Sequence, residues 1–80
     1  MQEKQLKLQK VLAEKGLTNR ETEISYLTSI GLTNREIGNQ LFVTEKTVKF
    51  HLTNVYKKLN VKSRAQLIVS CLSFVWYGGE

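Results

Sequence analysis

The chain has no proline and only five glycines among its 80 residues. That leaves no Pro- or Gly-rich linker and bounds the protein to one small domain with a modest core. A single cysteine, Cys71, excludes an internal disulfide, and one cysteine beside one histidine cannot furnish a structural zinc set. No apolar run reaches membrane length, and the N-terminus opens on a charged, glutamine-rich segment rather than an apolar export signal. A cytoplasmic protein is therefore the default expectation. Low-complexity segments and internal repeats are also absent.

Acidic charge is scarce where it matters. Twelve Lys/Arg oppose seven Asp/Glu, for a formal charge of +5. From Lys46 onward, Lys46, Lys49, Lys57, Lys58, Lys62 and Arg64 face Glu80 alone. A surplus concentrated in one half favours a polyanionic partner, nucleic acid first and a membrane surface second. A harmless basic face and an acidic protein partner stay open.

Helix signals follow one another along the chain. Residues 1–16 read as a short helix or arm with Leu8, Val11 and Leu12 on one side, ended by Gly16. Covering the core, continuing a linker and contacting a partner are all open roles for it. Thr18 with Glu21, and again Thr33 with Glu36, form capping boxes. The first starts a helix to about Ile30, burying Ile24 and Leu27, which Gly31 stops. The second starts a short helix to about Leu41, with Leu32 and Ile37 as a hydrophobic staple. Gly38 inside it points either to a close crossing or to tolerance of a poor helix former.

Only Phe42 and Val43 separate that helix from the next cap, Thr44. In the helix spanning residues 44–59, Val48, Leu52, Val55 and Leu59 make a narrow apolar stripe, while Lys46, Phe50, Thr53, Asn54 and Lys57 lie opposite with Lys49 on the flank. A capped short helix, a tight connection and a longer helix with a basic outer face form a helix-turn-helix arrangement. In the major groove Lys49 would meet guanine acceptors, Phe50 a thymine methyl, and Thr53 a base edge or backbone. Lys46, Lys57, Lys58 and Asn54 suit phosphates. His51 sits between stripe and basic side, where a backbone-bonded histidine and a phosphate contact are both open.

Ser63 with Gln66 caps a last helix from about Arg64 to Trp76. Its apolar arc covers more than half the wheel, and the excess predicts a second buried face, against the arm or against the same helix of another molecule. Cys71 reads as a core or interface residue, without an activating neighbour that would make it a nucleophile. Glu21 and Glu23, two apart on a helix, do not face each other, so nothing builds a catalytic pair and no enzyme is expected.

The segments Leu17–Ile24, Gly31–Gly38, Leu41–Leu52 and Asn54–Arg64, in that order and spacing, resemble the LuxR/FixJ-type helix-turn-helix domain of bacterial regulators. The likeness runs from Leu17 to Ile68 without a gap. It implies an all-α, four-helix domain, here preceded by the arm, whose third helix enters the major groove of double-stranded DNA. It implies a homodimer through the last helix, with Cys71, Leu72, Val75 and Trp76 expected at the interface, and contact with RNA polymerase or a related regulator. The family's base-reading positions fall on Lys49, Phe50 and Thr53, and its phosphate positions on Lys46, Thr47, His51 and Lys57. Glu21 stands for the family's acidic scaffold residue, with Arg64 as its expected partner. No cofactor, metal, small-molecule ligand or membrane contact is implied.

Three departures stand out. Gly38 replaces the alanine the family prefers, Phe50 is bulkier than usual at its position, and residues 74–77 are unusually aromatic. The motif is also not preceded by a sensory domain, which fits either an excised output module or a small free-standing member. The expected organisation is an arm at 1–16, the DNA-binding domain at 17–77 and a loose tail at 78–80.

Overall fold

The computed structural model describes residues 3–76, apart from the side chains of Lys4 and Trp76. The loose tail, Tyr77 and the Trp76 side chain, assigned above to a partner face, lie outside the described residues. Five helices make up the described chain: α1 (Glu3–Glu14), α2 (Asn19–Ser29), α3 (Asn34–Leu41), α4 (Glu45–Leu59) and α5 (Arg64–Trp76). Each of α2, α3 and α4 begins where a threonine satisfies an orphan amide. Thr18 Oγ1 accepts from the Glu21 N–H at 3.1 Å while Glu21 Oε1 accepts from the Thr18 N–H at 3.0 Å. Thr33 and Glu36 repeat the exchange at 3.1 and 2.8 Å. Such caps are worth about 1 kcal/mol each.

The α5 start is a variant of that box. Ser63 Oγ accepts from the Gln66 N–H at 3.1 Å, but Gln66 Oε1 reaches one residue further out, to the Lys62 N–H at 2.7 Å. Helix ends are set by left-handed residues. Gly31, at φ 103°, occupies a conformation an L side chain resists. Phe42 and Asn60 close α3 and α4 at φ 61° and 56°. For Asn60 that region is ordinary, whereas Phe42 holds it with its ring 93% exposed.

α2 is central and packs against all four other helices. The core joins Leu8 and Leu12 of α1, Leu17, Ile24 and Leu27, Ile37, Val48, Leu52 and Val55, and Leu67 and Cys71. Of the roles open to the N-terminal segment, its packing supports the first: α1 is a helix that covers the core, against α2 and α5. Ser25 and Thr28 of α2 are buried with no hydrogen-bond partner among the described residues, and their small size is what the crowded middle of the bundle accommodates.

Gly38 has a packing reason, supplied by the turn rather than by the body of another helix. A Cβ there would lie 2.7 Å from the Val43 carbonyl oxygen and 3.4 Å from the Thr44 carbonyl carbon. Even alanine would have to displace backbone. Gly38→Val should therefore lower stability by about 2 kcal/mol, the scale of core overpacking, despite the helix propensity it gains. Thermal unfolding followed by circular dichroism checks this, and an unchanged or raised midpoint would contradict it.

Candidate nucleic-acid interface

The site is built on the two sides of α4. Val48, Leu52 and Val55 are buried and Leu59 is half-buried, so the helix is anchored by its apolar stripe. Lys46, Lys49, Phe50, Thr53 and Lys57 consequently stand in solvent, and Thr47, His51 and Asn54 are half-buried along one margin. At the leading end, Thr44 Oγ1 accepts from the Thr47 N–H at 3.1 Å and donates to Thr47 Oγ1 at 3.0 Å. This hydroxyl pair stiffens the first turn.

The middle of the face is ordered by two local contacts. Phe50 is 63% exposed, and its ring meets the His51 imidazole edge-to-face, with centroids 5.6 Å apart and planes at 67°. The Thr53 hydroxyl donates to the Lys49 carbonyl at 3.0 Å, closing back on the helix. Lys46, Lys49 and Lys57 take part in no ion pair among the described residues.

Lys58 belongs to a different site from its neighbour. Its ammonium donates to Glu21 Oε1 at 2.7 Å and to the Gly16 carbonyl at 3.2 Å, so unlike Lys57 it is engaged within the chain while its side chain stays 36% exposed. The signal was present in the register. Lys57 lies opposite the Val48–Leu52–Val55 stripe, whereas Lys58 lies about 90° from it, within reach of α2. The Glu21–Arg64 pairing is corrected. Arg64 donates to Asn34 Oδ1 at 2.6 Å and to the Leu32 carbonyl, tying the start of α5 to the start of α3. Glu23 instead meets Arg20 at 3.4 Å in an exposed pair of little energetic weight.

The residues assigned to a dimer surface separate. Cys71 is 1% exposed in the core of the single chain, so it cannot face a partner, and burial pushes its thiol pKa up to about 11. Leu72 is 47% exposed and Val75 half-buried. Val69, one turn before Leu72 and at the margin of the apolar arc, is 60% exposed beside it. Of the described residues in the wide arc, Leu67 and Cys71 lie in the core, Phe74 and Val75 pack against it, and the Lys15 ammonium sits 4.9 Å from the Phe74 ring centre. No group of metal-ligating side chains gathers among the described residues, and no described helix is long and apolar enough to cross a membrane.

A capped brace, a tight turn closed on Gly38 and a helix anchored by its inner stripe while presenting a cationic outer face define a helix-turn-helix DNA-binding protein. The chain belongs to the luxR family of bacterial regulatory proteins, whose GerE family model matches residues 15–71. It is 52% identical over 58 residues to the transcriptional regulatory protein LiaR of Bacillus subtilis, covering 72% of this chain and 28% of that protein. With DegU of Brevibacillus brevis the identity is 43% over 60 residues, 75% of this chain and 25% of that protein. The spore germination protein GerE of B. subtilis is similar in size, with 45% identity over 56 residues, 70% of this chain and 76% of GerE. The chain thus spans about a quarter of the length of the first two relatives and three quarters of the third. The family is one of regulators and not of enzymes.

The buried Glu21 carboxylate carries a pH signature. Burial alone raises its pKa, but the hydrogen bonds from Lys58 and Thr18 and the Lys58 charge outweigh it, leaving the group below the ordinary carboxylate value. A depressed folded pKa contributes stability that is complete above the unfolded value, near ~4.3, and is lost as pH falls through the folded one. Glu21→Gln should cost on the order of 1–2 kcal/mol at pH 7, the lower end of the range for a charged hydrogen bond because Lys58 can turn to water. Denaturant titrations at pH 7 and below pH 4 check it. The gap between the two proteins should close on acidification, and a pH-independent gap would contradict the ion pair.

Proposed function

We propose that the protein is a sequence-specific, double-stranded DNA-binding transcription regulator that lays α4 in the major groove and binds a two-fold symmetric site as a homodimer. The observation that carries this reading is the outer face of α4, where Lys46, Lys49 and Lys57, without an ion pair among the described residues, surround an exposed Phe50 on a helix whose opposite side is anchored in the core. Lys49, Phe50 and Thr53 meet base edges, and Lys46, Thr47, His51, Asn54 and Lys57 lie toward phosphates. Val69, Leu72 and Val75 of α5 form the dimer face, bringing two reading helices to successive grooves about 34 Å apart. Such a protein works in the bacterial cytoplasm, on the nucleoid.

The exposed Val69 and Leu72 favour one second reading, a module that pairs with a related regulator and modulates it with weak or no DNA contact. Selection from a random duplex library at about 150 mM salt separates the two. An enriched palindrome, bound far more tightly than a scrambled duplex, supports the DNA reader. No enrichment by a folded sample supports the pairing module.

The two neighbouring lysines should behave differently. Lys57→Ala weakens binding to all duplexes by similar factors and lowers the salt slope by about one, whereas Lys58→Ala leaves the slope unchanged and lowers stability instead. Affinities titrated across salt concentrations check both, and equal slopes for wild type and Lys57→Ala would remove Lys57 from the interface. Leu72→Glu should shift the protein toward monomer in sedimentation experiments while its helical circular dichroism is kept. An unchanged mass distribution, or a wild type that never dimerises with or without DNA, would count against the α5 interface.

A further inference from the structure

We infer that α4 reads its half-site largely through thymine C5-methyl groups, with Lys49 as the cationic donor to an adjacent guanine. This rests on the DNA-reading function proposed above and assigns the chemistry of the bases it prefers. Thr53 carries one hydroxyl proton, and that proton is donated to the Lys49 carbonyl at 3.0 Å. Toward a base edge the hydroxyl can then only accept, and with Oγ1 turned back on the helix the γ-methyl takes the other branch of Cβ.

Phe50 lies one turn away at the i, i+3 position on the same exposed face, so a groove edge laid along that face passes both side chains. Phe50 is 63% exposed, and its ring meets the His51 imidazole edge-to-face. The middle of a cationic helix face thus carries an apolar pair without a cover. Among the natural base edges of the major groove, the apolar feature that matches it is the thymine methyl. Lys49, whose own carbonyl holds Thr53, is exposed and stands beside this pair to meet guanine O6 and N7.

The test uses the full chain and duplexes enriched by it from a random library, with each thymine replaced in turn by deoxyuridine. That change removes the C5-methyl and keeps base pairing and the polar groove atoms. At one or two positions in each half-site the affinity should fall about three- to fivefold, the worth of one methyl moved between water and an apolar contact. On the same duplexes Phe50→Ala should lose the sensitivity at its position, and Thr53→Ser should lose at least about threefold more affinity than Thr53→Val, since the methyl and not the hydroxyl proton is read. Circular dichroism confirms that each variant is folded. Specific binding indifferent to deoxyuridine at every position, or stronger loss in Thr53→Val than in Thr53→Ser, overturns the methyl reading and leaves DNA recognition standing. Failure to enrich any duplex overturns the DNA-reading function, and the methyl reading falls with it.

Discussion

Val48, Leu52 and Val55 can be buried together in only one rotation of α4 about its axis. Each such side chain contributes ~1.5–3 kcal/mol when it leaves water, so a quarter-turn away from that rotation would cost a large share of the stability of a domain this small. That constraint sets which residues face outward. Lys46, Phe50, Thr53 and Lys57 are presented because the opposite side is not free to move, and the partner-facing chemistry of the chain follows from its inner packing.

Rotation alone does not locate a helix. Its position along and across the bundle is set by polar ties made at its ends. Lys58 joins the last turn of α4 to Glu21 and to the Gly16 carbonyl, and Arg64 joins the first turn of α5 to Asn34 and Leu32. The turn between α3 and α4 is held by the bare Cα of Gly38 under the Val43 carbonyl. Two of these ties use groups that a sequence reading assigns elsewhere, a lysine that resembles its outward-facing neighbour and an arginine expected to pair with Glu21, while the glycine answers to a close approach, one of the two readings its position allowed. Each helps to hold the reading helix at a defined angle to its brace.

The apolar excess of α5 is divided in a way that links assembly to stability. Leu67 and Cys71 complete the core, Phe74 and Val75 pack on it partly, and α1 supplies Leu8 and Leu12 as the opposing surface. Among the described residues of α5, the most exposed apolar side chains are Val69 and Leu72. The covering role of α1 also means that the core extends beyond the segment shared with the regulator family, since the family match begins at residue 15.

Much of the fold, and the division of α4 into a buried and an exposed side, were legible in the residues. The three threonine caps, the serine cap of α5 and the stops at Gly31 and Asn60 act within four residues, so short windows of sequence carry them, and the helix bounds follow closely. The 3.6-residue period likewise divided α4 into an anchored and a free side before any neighbour was known. What lay out of reach were relations between distant elements. Whether Lys57 or Lys58 faces outward, which acceptor Arg64 finds 30 residues away, and whether Cys71 lines the core or a partner surface depend on how helices are placed against one another. By itself the sequence determined where α2, α3 and α4 begin and end, where α5 begins and which side of α4 is buried, because caps and periodicity are local. Only the tertiary structure decided which polar groups are left for a partner, because an ammonium or guanidinium on a flexible stem takes whichever carboxylate or carbonyl the packing brings within about 3 Å.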